Sequence, residues 1–99
     1  TITNMGSMFS GATAFNQNLN NWFVSQVTNW NNFLLGVTLS NANYNLFLFN
    51  LSTNATIHTL TFSGGNSHYD TTSGGQNGVA ARAVLTGTLG WSVSDGGTP

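Results

Sequence analysis

The apolar positions of the first 38 residues fall into two matching runs. Ile2, Met5, Met8 and Phe9 stand among short polar residues, and Val27, Trp30, Phe33 and Leu34 repeat the spacing. Thr3-Asn4 recurs as Thr28-Asn29, Gly11 as Gly36 and Thr13 as Thr38, at a constant offset of 25 residues. A fixed period in the twenties marks repeat folds, in which each unit buries its apolar face against its neighbours. Within each copy the spacing predicts a short helical turn. Thr3 or Asn4 caps the first, Met5, Met8 and Phe9 share one side, and Gly11 ends it. Leu19 to Val24 reads as a first strand, anchored by Leu19 and Trp22. After Thr38 the repeat breaks down, because Ser40 and Asn41 stand where Phe15 and Asn16 would recur.

A longer helix replaces it. Ser40 suits the N-cap, and Tyr44, Phe47, Leu48 and Leu51 follow i, i+3, i+4, i+7. Ser52 to Asn54 reads as a turn. Ile57 to Phe62 alternates as a strand would, stopped by Gly64-Gly65-Asn66. Residues 66–78, with Gly74-Gly75 and Asn77-Gly78, read as a surface loop. Val79 to Leu89 predicts a second helix with Gly90 beyond its end. Trp91 to Ser94 predicts a last strand, closed at Asp95-Gly96. Strands separated by helices favour parallel pairing through right-handed crossovers. The expected fold is therefore α/β: a short right-handed solenoid, parallel stacked strands on one side and helices on the other. It forms one domain over residues 1–99, with two repeats in 1–38 and a closing segment in 39–99. Trp22, Leu60 or Phe62, and Trp91 or Val93 should lie on neighbouring strands. Met8, Phe9, Phe33, Phe47 and Leu85 should pack behind them.

Charge alters this picture most. Only 3% of the residues are charged, against about 25% in an ordinary domain. The set is Arg82, Asp70 and Asp95, with no Lys and no Glu. A net charge of −1 excludes electrostatic capture of nucleic acid and a polybasic membrane patch. The absence of cysteine excludes disulfides, thiolate zinc sites and Cys nucleophiles. The longest apolar run, Leu46 to Phe49, is far short of the roughly 18 residues of a membrane-spanning helix. No signal peptide is evident, and Thr1 falls inside a repeat, so the expectation is a processed product or a piece of a longer protein.

Little in the chain suggests reaction chemistry. His58, His68 and Asp70 form the one cluster with metal or acid–base potential, and it lacks a fourth ligand for zinc. No Gly-x-Ser-x-Gly elbow follows a strand. Gly64-Gly65 and Gly74-Gly75 are not followed by the Gly-Lys-Ser/Thr of a phosphate loop. No catalytic residue, metal ligand or cofactor is therefore expected. Arg82 and Asp95 are expected to form a structural ion pair closing the C-terminal end. Asn50-Leu51-Ser52 and Asn54-Ala55-Thr56 are glycosylation sequons, of consequence only in a eukaryotic secretory setting. The three Trp residues read as core. Tyr69, in a polar loop beside His68, is the best exposed aromatic, and these two are the expected ligand contacts.

The repeats resemble those of the BspA-like leucine-rich-repeat surface proteins. The resemblance rests on Met8-Phe9, Phe15-Asn16-Gln17, Trp22 and Ser25-Gln26-Val27-Thr28-Asn29-Trp30. The second half is similar to the segment that often closes such arrays. That likeness rests on Leu39-Ser40-Asn41-Ala42-Asn43-Tyr44, Thr61 to Tyr69, Ala81-Arg82-Ala83-Val84-Leu85 and Gly90-Trp91 through Asp95-Gly96-Gly97. Three positions depart from the pattern: Trp30 replaces a Met, while Asn45 and Phe23 replace acidic residues. The resemblance implies a leucine-rich-repeat-like solenoid on a cell surface or outside the cell, in adhesion or partner binding, without enzymatic activity. The expected partner is a protein or further copies of the chain, with no nucleic acid and no membrane insertion. The near absence of charge favours copies stacking end to end into a fibre. The alternative is a carbohydrate-binding module using exposed aromatic and Asn side chains.

Overall fold

Two polar caps fix the helices. In the computed structural model, which describes residues 3–19, 22 and 24–98, α1 spans Asn41–Asn54. Ser40 caps it by accepting the Asn43 N–H at 3.2 Å. The periodic residues Tyr44, Phe47, Leu48 and Leu51 are all fully buried. The helix runs through Ser52 to Asn54, where a turn was expected: the backbone ladder continues to the Ala55 N–H on the Leu51 carbonyl, and the Ser52 hydroxyl is turned back onto the Phe49 carbonyl. α2 spans Gly78–Ala83, capped by Asn77 Oδ1 accepting the Ala80 N–H at 3.0 Å. It continues as a widened π-helical turn over Val84–Thr88 and stops at Gly90, whose φ is 68°.

The strands are shorter than the alternation suggests. β1 is Thr61–Ser63 and β2 is Ser92–Ser94, paired parallel with Phe62 opposite Val93. Thr59 cuts off the N-terminal part of the expected Ile57–Phe62 strand, since its φ of 62° takes the backbone out of the extended region. Trp30 forms an isolated parallel bridge with Phe62, so it takes the place expected of Trp22 beside the sheet. Asn20, Asn21 and Phe23 of the expected Leu19–Val24 strand lie outside the described residues; Leu19 and Val24 are buried and Trp22 is half-buried.

The core is an aromatic cluster drawn from distant segments. The Trp30 ring lies 4.9 Å from Phe33, 5.7 Å from Phe47 and 5.7 Å from Phe62, each edge to face. Trp91 closes the group at 6.5 Å. Such pairs add roughly 0.5–1.5 kcal/mol each beyond the area they bury.

The expected leucine-rich-repeat-like solenoid is not the architecture found. Among the described residues the sheet has two three-residue strands, joined to two helices, and no strand–helix unit repeats. The extents of 29 × 28 × 22 Å give no single long axis. The reason lies inside the copies. Ser7 and Asn32, equivalent positions, adopt φ of 58° and 56°, and Gly11 and Gly36 adopt 77° and 79°. A left-handed residue at mid-turn interrupts a helix before it can propagate. Each copy is therefore a chain of turns, and the closing segment packs onto the second copy instead of extending a series.

The copies still meet in register. Met5, Ser7, Phe9 and Gly11 donate their N–H groups to the carbonyls of Asn29, Asn31, Phe33 and Leu35 at 2.8–3.1 Å. Met8, expected behind the strands, is 42% exposed.

Candidate functional site: the Asp95 and Asp70 polar nodes

All three charged side chains lie in the closing segment, and each is held by the fold. Asp95 follows β2 directly, and its side chain is 2% exposed. Its Oδ2 accepts the Arg82 Nε–H at 2.9 Å and the Tyr44 hydroxyl at 2.7 Å. Its Oδ1 accepts the Gly97 N–H at 2.9 Å, a local turn that Gly97 permits with its φ of 78°. Arg82 also donates from Nη2 to the Val93 carbonyl at 3.0 Å. The guanidinium lies over the Tyr69 ring, 5.1 Å from its centroid. One carboxylate thus ties α1, α2 and the end of β2 together.

Asp70 organises the second node. Asp70 Oδ1 accepts the N–H groups of Thr72 and Ser73 at 3.1 and 2.8 Å, and Oδ2 accepts the Ser73 hydroxyl. The Asn45 amide donates to Asp70 Oδ1 at 2.7 Å and to the carbonyls of Ser73 and Gln76. Asn45 Oδ1 in turn accepts the Asp70 N–H at 3.0 Å. Asn45 is fully buried, and it pins the 66–78 loop to α1. Gly78 passes so close to Asn45 Oδ1 that no side chain fits there.

The electrostatics follow from these contacts. The Ser73 hydroxyl and N–H, with help from Thr72 and Asn45, hold the Asp70 carboxyl well below the usual carboxylate range. Burial, reinforced by Asp95, pushes the Tyr44 phenol up. Burial works against the Arg82 charge, but the hydrogen bond and charge of Asp95 outweigh it and raise its pKa.

The residues singled out from sequence lie as follows. Arg82 and Asp95 are brought together. Tyr69 is half-buried, near Tyr44 and against Arg82, and so is less open than its polar loop suggests. His68 is half-buried, with Nδ1 3.1 Å from the Gly97 carbonyl. His58 is exposed. Among the described residues no three His, Asp or Glu side chains are placed to hold a metal. The Asn50 sequon is closed by the fold, since Asn50 is buried and its amide donates to the carbonyls of Leu19 and Trp22 at 3.1 and 3.0 Å. Asn45, Asn50 and the Tyr44 hydroxyl were not foreseen as structural polar groups. The available signal was Asn at two positions adjoining an otherwise apolar helix stripe.

No curated protein and no solved structure matches the chain. One family model does, over residues 1–73 of the 99, and the matched stretch takes in both copies, α1, β1 and the 66–78 loop as far as Ser73. The chain belongs to the family described as Mycoplasma protein of unknown function, DUF285.

Proposed function

We propose that this chain is a non-enzymatic structural or adhesion module, extracellular or at a cell surface, that acts through protein–protein contacts. One observation carries the reading: Arg82, Asp95 and Asp70 each serve internal ties between helices, loop and strand. Groups held in this way are poor general acids or bases, because moving their protons breaks the fold's own contacts. The family's association with BspA-like surface repeat proteins supports the cell-surface part of this reading. The carbohydrate alternative has the half-exposed Tyr69 ring beside His68 in its favour. Both flank the Asp95 node, Tyr69 against Arg82 and His68 with Nδ1 3.1 Å from the Gly97 carbonyl.

Beads coated with the folded chain provide the test, offered to cell or matrix surfaces after protease or after glycosidase treatment. The proposal expects adhesion to vanish with protease and to survive glycosidase. Loss with glycosidase alone, abolished also by Tyr69→Ala, would establish the carbohydrate reading. Adhesion to neither surface would overturn both.

A further inference from the structure

One face of the molecule carries a row of polar groups that the fold leaves unspent. Asn4 pairs with Asn29, Trp30 with Phe62, and Thr61 with Ser92, all in parallel. Asn29 and Thr61 stand one residue before the Trp30–Phe62 bridge. Asn4, Asn29, Thr61 and Ser92 therefore form one row across four neighbouring stretches of backbone. Side chains alternate between the two faces of such a ladder. Trp30 and Phe62 are fully buried, so the row lies on the opposite face. Asn4, Thr61 and Ser92 are indeed exposed, and Asn29 is half-buried.

The hydrogen-bonding capacity of the row is only partly used. Asn4 Oδ1 accepts the Gly6 N–H and Asn29 Oδ1 accepts the Asn31 N–H, each at 2.9 Å. Both amide NH2 groups remain as donors. The Thr61 and Ser92 hydroxyls make no hydrogen bond among the described residues. Gly6 lies against the Asn29 amide, where an added Cβ would stand 3.0 Å from Oδ1, so a residue without a side chain leaves that amide room. Neighbouring rungs of a ladder are about 4.7–4.9 Å apart, and the four groups therefore span about 14 Å. None of the four is charged. The acid nearest to Ser92 along the chain, Asp95, is buried and tied to Arg82 and Tyr44.

We propose that this face binds a linear neutral glycan laid across the rungs. Amides and hydroxyls suit a partner that also donates and accepts without charge. An ionic ligand would lose water here without meeting an opposite charge, which is unfavourable. An extended pyranose chain offers hydroxyls on every ring, at a repeat close to the rung spacing. Successive sugars then meet Asn4, Asn29, Thr61 and Ser92 in turn. Each exchange of a water hydrogen bond for a sugar one contributes little, so affinity grows with chain length until the row is filled. The site shares no residue with the Tyr69–His68 pair, and it stands apart from the protein-contact reading.

The probe is a glycan array carrying neutral, sialylated and sulfated chains of two to six sugars, read with the fluorescently labelled intact chain. The site expects binding to neutral linear chains, stronger by at least about tenfold for four sugars than for two. Thr61→Val combined with Ser92→Ala should weaken that binding by at least about tenfold, since two hydrogen bonds are lost. The urea midpoint should not move, because both side chains are exposed. Tyr69→Ala should leave the binding unchanged. Binding abolished by Tyr69→Ala but kept by the double variant would give the glycan to the Tyr69–His68 pair and overturn this site. Sulfated or sialylated chains bound as tightly as neutral ones would overturn it too, as would an array with no neutral chain bound. The bead assay reads the protein contact separately, so either result can fail without the other.

Discussion

The two copies of the repeat start from one pattern and end in opposite surroundings. Trp30, Phe33, Leu34 and Val37 of the second copy are fully buried, whereas in the first Met5 is buried but Met8 is exposed and Phe9 half-buried. Both copies make the same turns, with left-handed residues at equivalent places. The difference is cover. The second copy is roofed by the first copy on one side and by α1 and β1 on the other, where Trp30 meets Phe62 and Phe33 meets Phe47. Pattern sets the local backbone, and neighbours decide which side chains become core.

The widest separation between the copies should come from truncating equivalent side chains. Phe33→Ala should cost about 3–5 kcal/mol, because it opens a cavity in the middle of the aromatic cluster. Met8→Ala should cost less than about 1 kcal/mol, as exposed substitutions do. Urea unfolding of both variants makes the comparison, and equal losses would mean the copies are equally covered.

Next in size is the tie that holds the roof in place. Asp95→Asn keeps the shape and removes the charge that Arg82 and Tyr44 share. It should lower stability by about 2–3 kcal/mol, since it weakens a largely buried, hydrogen-bonded pair. Tyr44→Phe should cost about 1 kcal/mol by the loss of one hydrogen bond to that carboxylate. If Asp95→Asn leaves urea unfolding unchanged, the closing segment does not depend on this node.

What could be read from the sequence divides along the same line. α1 was legible because Ser40 and the Tyr44–Phe47–Leu48–Leu51 stripe are local signals, and β2 because Trp91 to Ser94 sits between two glycines. The copies were legible as repeats. Their conformation was not, because nothing in Ser7 or Asn32 announces a positive φ. The solenoid expectation failed there: two matched copies suggested a continuing series, but the segment after Thr38 covers instead of repeating. The Arg82–Asp95 contact could be guessed from charge scarcity alone. The Asn45–Asp70 node could not, since the partners stand 25 residues apart and Asn is usually a surface residue.

Acid should separate the halves chemically. Asp70 has its folded-state pKa lowered, so the stability it contributes is present above the unfolded value near 4 and is lost as pH falls below it. Ser73→Ala should shrink that acid sensitivity. At the other extreme Tyr44 has its pKa raised. Its contribution is full below the unfolded value near 10 and is lost as pH rises beyond it. Residues 3–38 contain no titratable side chain, so both limbs belong to the closing segment. Thermal melts across pH check this, and an acid limb untouched by Ser73→Ala would assign the effect elsewhere.

The smallest expected effect is a gain. Thr59 holds a β-branched side chain at a φ of 62°, and Thr59→Asn should raise stability by up to about 1 kcal/mol by relieving that strain. A loss would mean that the Thr59 side chain makes a compensating contact.

Amide hydrogen exchange on the native chain tests most directly whether the copies dock edge to edge. The account expects Met5, Ser7, Phe9 and Gly11 to be protected together, far above Gln17, because their N–H groups are bonded to the second copy. Exchange of those four amides as fast as that of Gln17, with Leu34 and Gly64 still protected, would contradict it.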